Sequence, residues 1–386
     1  MKKLLRVYKD MDKTILFTVL ILVVYGTLNI VTASSREAAL NTNSSMFYYF
    51  YKHIAILALS FVFFLFFLTL STKKYNSYIP LAYFLVLGAN IFLVVHGVST
   101  KGATNWIDLG FFKIQPSEFA KPTIIVTMAV LLSNYDKLFQ MPNAKRSKEI
   151  GKLIVMILIF PVFVFLQRDV GTASILFGIF FVMFIFCPLT LKEKAETFGL
   201  FGGVVAMTLL VIISINGSVL NKAQSSRLNN FYNPCSKYEQ TGYQVCNAFI
   251  AINNGGALGV GIGNSTQKYS YIPEPHTDMV FSIIAEENGV VKCSFIFLAY
   301  IILLYRILKI SMNTKNIKNK YICLGIATYI FLHIFINLGG LFGVIPLTGV
   351  PLPFLSYGGS FMLSLASSVA IVERIHIEMK NEKIRV

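Results

Sequence analysis

Several acidic side chains in this 386-residue sequence stand in or directly beside long apolar segments. An ionised carboxylate at membrane depth is costly, so it usually faces water, a cation or a reacting group. Asp278 is the clearest example, because the apolar run 279–285 follows it at once. A carboxylate held there could act as a general base; a solvated loop charge and a structural ion pair are the alternatives. The acidic side chains in or beside apolar segments are Asp108, Glu118, Asp169, Glu274, Asp278, Glu286 and Glu287.

Four basic side chains lie near these acids and could bind an anionic group such as a diphosphate. For each, a long side chain reaching the membrane interface is the alternative interpretation. Glu118 and Lys121 are three residues apart, a spacing that on a helix suits an ion pair as well as a catalytic role. The four are Lys121, Arg168, Arg227 and Lys268.

Histidine and cysteine spacing gives no metal-binding pattern. His276 is a single histidine next to the candidate acid, and we expect it to form hydrogen bonds. The five cysteines contain no C-x-x-C pair, and three of them lie in or beside apolar segments. Cys235 and Cys246 share one polar segment, where a disulfide and two free thiols both remain open, with free thiols favoured.

The elements that must position these residues are membrane-spanning helices. Hydrophobic residues make up 55% of the chain, charged residues only 13%, and the mean hydropathy is +0.66, which excludes an ordinary soluble enzyme. The net charge of +16 is not gathered into one stripe, so nucleic acid is not an expected partner. Apolar segments predict an all-α polytopic membrane protein with about ten transmembrane helices, near residues 14–34, 53–71, 77–97, 117–134, 152–166, 171–190, 197–215, 288–309, 321–344 and 358–377.

Most Lys and Arg residues fall in the two tails and in the even-numbered connections, which predicts cytoplasmic N- and C-termini. The first span is expected to be an uncleaved signal anchor. On this topology residues 216–287 form one large extracytoplasmic loop between spans seven and eight, far longer than usual, within a single membrane domain covering 1–386.

Two segments on the predicted outer face are unusual for their glycine and proline content. The run from Gly259 to Gly263 lacks the lysine and the strand of a nucleotide-binding loop, so close helix packing or a re-entrant turn is favoured. The segment 346–360 holds three prolines and three glycines, which excludes a regular helix and predicts a fixed re-entrant or cavity-lining turn.

These motifs together resemble one family, the SEDS proteins (shape, elongation, division and sporulation). The resemblance covers the chain from the first span to the last. The motifs that carry it are Gly102-Ala-Thr-Asn-Trp106-Ile-Asp-Leu-Gly110, Gln115-Pro-Ser-Glu118-Phe-Ala-Lys121, Gly242-Tyr-Gln244, Ser265-Thr-Gln-Lys268, Pro273-Glu-Pro-His-Thr-Asp278, Ala285-Glu-Glu287 and the run from Pro346 to Ser360.

The resemblance implies a peptidoglycan glycosyltransferase that polymerises lipid II on the outer face of the bacterial cytoplasmic membrane. It implies a class B penicillin-binding protein as partner, beside other elongation or division proteins and the membrane lipids. Asp278, Glu118 and Lys121 match the family's catalytic positions. We expect the substrate to contact Arg227, Lys268, His276, Arg168, Asp169, Trp106, Ser356 and Tyr357.

No nucleotide cofactor is expected, because the donor sugar arrives activated on its lipid. A divalent cation, Mg²⁺ or Mn²⁺ held by the outer carboxylates, would be the one cofactor. The chain departs from its relatives at Asn105, where they often carry Arg, at Arg168, where they carry Pro, and at His333, where they carry Gln. A flippase for the lipid-linked precursor and a scaffold without catalysis are the alternatives. No motif separates elongation, division and sporulation.

Overall fold

The computed structural model describes residues 8–41, 45–100, 103–110, 113–133, 143–187, 189–216, 243–269 and 274–384, with residues 225, 228–229, 231–232, 234–235 and 272. These residues are mainly helical. The helices are α1 Lys13–Asn41, α2 Tyr48–Thr69, α3 Tyr75–His96, α4 Pro116–Ser133, α5 Asn143–Leu166, α6 Val170–Ile185, α7 Leu191–Asn216, α8 Tyr243–Gly255, α9 Val280–Asn313, α10 Ile317–Leu341 and α11 Gly359–Ile384.

The predicted all-α polytopic fold is confirmed, since each of the ten predicted spans corresponds to one of these helices and α8 lies in the segment predicted to form the large loop. In the described part of the chain, seven helices are long and apolar enough to cross a membrane: α1, α2, α3, α5, α9, α10 and α11. Helix α6 is apolar but shorter. On α3 the side chains of Leu81, Phe84 and Leu85 are about two-thirds exposed, as expected for a helix whose outer face meets lipid.

The start of α9 matters for the site. Helical backbone begins at Val280, breaks at Gly289 and continues from there, close to the predicted span start at residue 288. Glu286 and Glu287 therefore lie in a short helical piece ahead of that span and not in an irregular loop. Two adjacent carboxylates are more typical of a loop than of a helix in an apolar segment, so the composition predicts a loop for this acidic pair. It is tolerated in the helix because residues 254 and 265–268 supply hydrogen-bond donors and a cation to it.

The chain forms two compact units of interleaved segments. Unit one comprises Met1–Phe64, Lys222–Arg306 and Ile330–Ala366. It contains α1, α8, the first part of α9, the end of α10 and the irregular segment after it. Unit two comprises Leu65–Asn221, Ile307–Tyr329 and Ser367–Val386, and therefore contains α3 to α7.

Unit two also holds a small antiparallel sheet in front of α4. Its strands are β1 Val98–Thr100, β2 Ala103–Asp108 and β3 Lys113–Ile114, in the order β1-β2-β3. Val98 pairs with Trp106, and Asp108 pairs with Lys113. The backbone N–H of Thr104 donates to Gln167 O at 3.0 Å, which ties the sheet to the end of α5.

Candidate active site

Asp278 ends a short turn at the start of α9 in unit one and is held mainly through its backbone. Asn337 Nδ2, on α10, donates to the carbonyl oxygen of Asp278 at 2.7 Å. The Thr277 hydroxyl lies 3.0 Å from Asp278 Oδ1 and 2.8 Å from Glu274 O, so its one proton serves one of them at a time. Met279, next in the chain, is fully buried, whereas Asp278 is half-buried. The carboxylate is thus fixed in place and open on one side.

No cation forms an ion pair with Asp278 among the residues that the structure describes. Its negative charge is therefore not already committed to a structural partner, in contrast to most of the buried acids of this chain. A carboxylate in this state can accept a proton from a bound hydroxyl group.

His276 is brought next to this turn, and it is packed against aromatic rings. Its ring centroid lies 4.3 Å from that of Tyr49 and 5.2 Å from that of Tyr357. The backbone N–H of Tyr357 donates to His276 O at 2.8 Å. His276 Nδ1 also lies 3.3 Å from Glu37 Oε2, a carboxylate of α1. Burial raises the pKa of Tyr357 to about 12, so its hydroxyl stays protonated.

The irregular segment 342–358 has the non-helical, fixed backbone that its composition predicts. Ser356 is completely buried, and its Oγ accepts a hydrogen bond from Leu352 N at 2.8 Å. The Tyr300 hydroxyl donates to Pro353 O at 2.5 Å, and Asn337 Nδ2 donates to Val350 O at 2.8 Å. Side chains of α9 and α10 thus satisfy carbonyls that this segment does not pair by itself, as irregular backbone at membrane depth requires.

The glycine-rich segment packs against a break in α9, as the favoured interpretation predicts. At Gly289 the backbone leaves the helical region, with φ of 73°. The carbonyls of Glu286 and Glu287 accept instead from Val260 N and Gly261 N, both at 3.0 Å. A Cβ at Gly259 would stand 2.3 Å from Glu287 O. Glycine is required here for close backbone approach rather than for a nucleotide phosphate.

The acids of this part of α9 have structural partners. Glu286 accepts hydrogen bonds from Ser265 Oγ, from Thr266 Oγ1 at 2.9 Å and from Asn254 Nδ2 at 3.3 Å. Lys268 Nζ lies 3.2 Å from Glu287 Oε1 and also donates to Gly263 O. Both side chains of the Lys268–Glu287 pair are at most 4% exposed. Contact of Lys268 with the substrate remains a prediction, and the structure gives this ammonium a buried partner.

In unit two, Asp169 joins three elements. Its Oδ1 accepts from Thr172 N at 3.0 Å and so caps α6. Its Oδ2 accepts from Asn105 Nδ2 at 2.6 Å, on β2, and from Gln115 Nε2 at 2.9 Å, just before α4. Asn105 therefore pairs with an acid through a hydrogen bond.

Glu118 and Lys121 form the ion pair that their spacing allows, with Lys121 Nζ 2.7 Å from Glu118 Oε1 and both side chains at most 3% exposed. Lys121 Nζ also stands 5.6 Å from the centroid of the Tyr329 ring. A catalytic role for either residue remains a prediction.

The other residues of unit two that we expect to contact the substrate lie nearer its surface. Trp106 is half-buried on β2, and Arg168 is exposed, with a positive φ of 65° just before Asp169. Arg227 lies outside the described residues. The structure therefore groups Asp278, His276, Tyr357 and Ser356 in unit one, and groups Trp106, Glu118, Lys121, Arg168 and Asp169 in unit two.

Two further expectations concern cysteines and metals. Cys235 and Cys246 form a disulfide, so the favoured expectation of free thiols was wrong, while Cys187, Cys293 and Cys323 are buried and free. Within the described ranges no three His, Cys, Asp or Glu side chains form a cluster that could hold a metal ion by themselves. The divalent cation stays a prediction, and no step below passes through one.

Glu37 is the site residue that the sequence did not reveal. It stands just beyond the predicted end of the first span, where a single charge usually marks the membrane interface. The sequence offered one signal for Glu37, namely that carboxylates are rare near the end of the predicted first span.

Comparison with known proteins shows the family of this chain. A model of the cell cycle protein family that groups FtsW, RodA and SpoVE matches residues 12–381. The chain is 31% identical to the probable peptidoglycan glycosyltransferase FtsW of Bacillus subtilis, over 98% of this chain and 93% of that protein. It is 29% identical to the peptidoglycan glycosyltransferase MrdB of Escherichia coli K12, over 96% of this chain and 94% of that one.

Two solved structures share the fold. One, described as a peptidoglycan synthase complex that coordinates polymerization and crosslinking, has a TM-score of 0.72 at 24% identity and covers 96% of this chain and 98% of its own. The rod shape determining protein RodA of Thermus thermophilus has a TM-score of 0.65 at 20% identity, covering 95% and 96%. The chain is a multi-pass membrane protein, and it belongs to the FtsW, RodA and SpoVE family of cell cycle proteins, as its resemblance to the SEDS proteins predicts.

Proposed function

We propose that this chain is a peptidoglycan glycosyltransferase that polymerises lipid II into glycan strands at the outer face of the bacterial cytoplasmic membrane. The names of its relatives and its family membership support the reaction class. The observation that carries the proposal within this chain is Asp278: a half-buried carboxylate with a fixed backbone and, among the described residues, no ion-pair partner.

In this reaction a sugar hydroxyl attacks the anomeric carbon of a second, lipid-linked sugar. A carbon–oxygen bond forms at that carbon, and the bond to the diphosphate oxygen breaks on the opposite side, so the configuration inverts. The hydroxyl proton passes to Asp278. One carboxylate suffices for a single displacement, because no covalent sugar–enzyme intermediate needs a second one.

The leaving undecaprenyl diphosphate needs positive charge. Lys121, Arg168, Arg227 and Lys268 are our proposed sources, with Trp106, Asp169, His276, Ser356 and Tyr357 as further contacts. Lys121 and Lys268 already face Glu118 and Glu287, so their net contribution is smaller than that of an isolated cation. In this proposal Glu118 orients Lys121 toward the substrate.

We further propose that both termini are cytoplasmic, which puts Asp278 on the outer side, and that a class B penicillin-binding protein cross-links the strands. The excess of Lys and Arg in the tails and the even-numbered connections supports the orientation. The synthase complex with the same fold is described as coordinating polymerization and crosslinking, which supports the partnership.

The test is strand synthesis from labelled lipid II by the purified protein with its co-purified class B partner, whose transpeptidase is blocked. Wild type is compared with Asp278→Asn, which keeps the side-chain size, and with Asp108→Asn, which removes an exposed carboxylate. We expect polymer from wild type and Asp108→Asn and none from Asp278→Asn at equal membrane insertion. Polymer from none of them, with labelled lipid crossing vesicle membranes in all, would establish a transporter instead.

A further inference from the structure

Glu37 approaches the catalytic turn from a different helix. It lies at the end of α1, and its Oε2 is 3.3 Å from His276 Nδ1. Both side chains are largely withdrawn from solvent, with 15% of Glu37 and 3% of His276 exposed. Neither residue has another ion-pair partner among the described residues. The two atoms are within ion-pair distance, and their alignment is not that of a hydrogen bond. A carboxylate beside a buried imidazole favours the ring orientation that keeps a ring nitrogen toward it.

The imidazole cannot turn away from Glu37 easily, because rings enclose it. Tyr49 lies 4.3 Å from it and Tyr357 lies 5.2 Å from it, centroid to centroid. The ring of the completely buried His53 lies 5.9 Å from the Tyr357 ring, centroid to centroid. These contacts restrict the His276 side chain to one orientation.

The same residue is held through its backbone, two positions before Asp278. Tyr357 N donates to His276 O at 2.8 Å, and Asn337 Nδ2 donates to Asp278 O at 2.7 Å. The His276 side chain is the third attachment of this turn, and Glu37 is the acid found within ion-pair distance of it among the described residues. The loss of this attachment would let the turn, and with it the Asp278 carboxylate, change position.

We propose that Glu37 is a positioning residue for Asp278. It acts through the His276 imidazole and does not touch the substrate. This inference rests on the proposed function, because the group being positioned is the proposed general base. Misplacing a catalytic group by about 1 Å can reduce the rate by about 100-fold without weakening substrate binding.

The experiment is a double-mutant cycle in lipid II polymerisation. It compares wild type, Glu37→Ala, His276→Phe, the double variant, Glu37→Gln and Arg36→Gln. Phenylalanine keeps a ring between the two tyrosines but has no Nδ1. Glutamine at position 37 keeps an oxygen that can accept a hydrogen bond. Arg36→Gln is the matched control, since it removes the adjacent exposed charge from the same helix end.

We expect Glu37→Ala to lower kcat by about 10- to 100-fold with KM changed by less than about twofold, and His276→Phe to lower kcat at least as much. The double variant should be no worse than the poorer single variant, because both remove the same attachment. Glu37→Gln should recover a large part of kcat, and Arg36→Gln should behave as wild type. Additive losses, a change in KM alone, or wild-type kcat for Glu37→Ala would overturn the proposal.

A second measurement does not depend on activity. In hydrogen exchange of the purified protein, we expect the peptide covering 274–279 to exchange faster by about tenfold in Glu37→Ala and to be unchanged in Arg36→Gln. Unchanged exchange in both variants would show that Glu37 does not hold the turn. If wild type makes no polymer, the proposed function fails, and this comparison alone then decides whether Glu37 fixes the turn.

Discussion

Asn337 holds the backbone of Asp278. Its side-chain Nδ2 donates to Asp278 O at 2.7 Å, and the second hydrogen of the same group is donated to Val350 O at 2.8 Å. One amide on α10 therefore ties the start of α9 to the irregular segment 342–358. Because Asn337 is almost fully buried, no water can replace these bonds without rearrangement.

The first prediction concerns this bridge. Asn337→Leu has a similar volume but leaves two carbonyls unpaired, which costs about 1–3 kcal/mol for each. We expect a lower unfolding temperature and a kcat at least about tenfold lower, since the backbone of Asp278 loses its attachment. Thermal unfolding and lipid II polymerisation measure the two effects. Thr328→Val is the matched control, because Thr328 is a buried residue of α10 whose hydroxyl bonds only within the helix, to Leu324 O. Equal losses in both variants would contradict the argument.

The second prediction distinguishes a structural role from a substrate-binding role for Lys268. Breaking a buried ion pair from one side leaves the other charge uncompensated, at a cost of about 3–5 kcal/mol. Lys268→Met should therefore destabilise the protein strongly, and Lys268→Met combined with Glu287→Gln should recover most of the loss. The measurement is the unfolding temperature of wild type and the two variants in detergent. A stable Lys268→Met protein with a raised KM for lipid II would instead favour direct contact with the diphosphate.

The third prediction is a pH dependence at the start of α7. Burial alone would raise the pKa of Glu193, but hydrogen bonds from Thr190 and the Arg146 ion pair, with Nε 2.6 Å from Oε1, lower it on balance below its ordinary value of 4.5. Thr190 and Glu193 also form a reciprocal helix cap. A depressed folded-state pKa gives stability that is present above the unfolded pKa and is lost as the pH falls through the folded pKa.

The comparison that tests this pH dependence is wild type against Glu193→Gln. We expect wild type to be more stable at about pH 7 and this advantage to shrink as the pH is lowered below about 4.5. Thermal unfolding over a pH series measures it, and Glu196→Gln, which changes an exposed acid on the same helix, serves as control. A difference between wild type and Glu193→Gln that does not vary with pH would contradict the assignment.

The sequence predicts the helices well, for a physical reason. Apolar runs of span length have few alternatives, so all ten helices could be located. Asp278, a carboxylate next to such a run, stays the predicted catalytic residue. Contacts between distant segments are not encoded in local spacing. For this reason Glu37 was missed, and Lys268 was interpreted as a cation that could bind a diphosphate, although its partner Glu287 is 19 residues away. The helical piece before Gly289 was assigned to the loop because the donors to Glu286 come mainly from residues 265–267.

The final prediction concerns the disulfide between Cys235 and Cys246, which closes a loop with a sequence separation of 11 residues. A crosslink of this length is worth about 3 kcal/mol in the chain-entropy account. Disulfides persist outside the reducing cytoplasm, so the bond also reports on which side of the membrane α8 lies. We expect the double variant Cys235→Ser, Cys246→Ser to unfold at a lower temperature than wild type. In wild type denatured without reductant, we expect only Cys187, Cys293 and Cys323 to be alkylated, and reduction to release two more thiols. Five reactive thiols before reduction, in protein purified with all thiols trapped at lysis, would contradict both the bond and the proposed outer location of this segment.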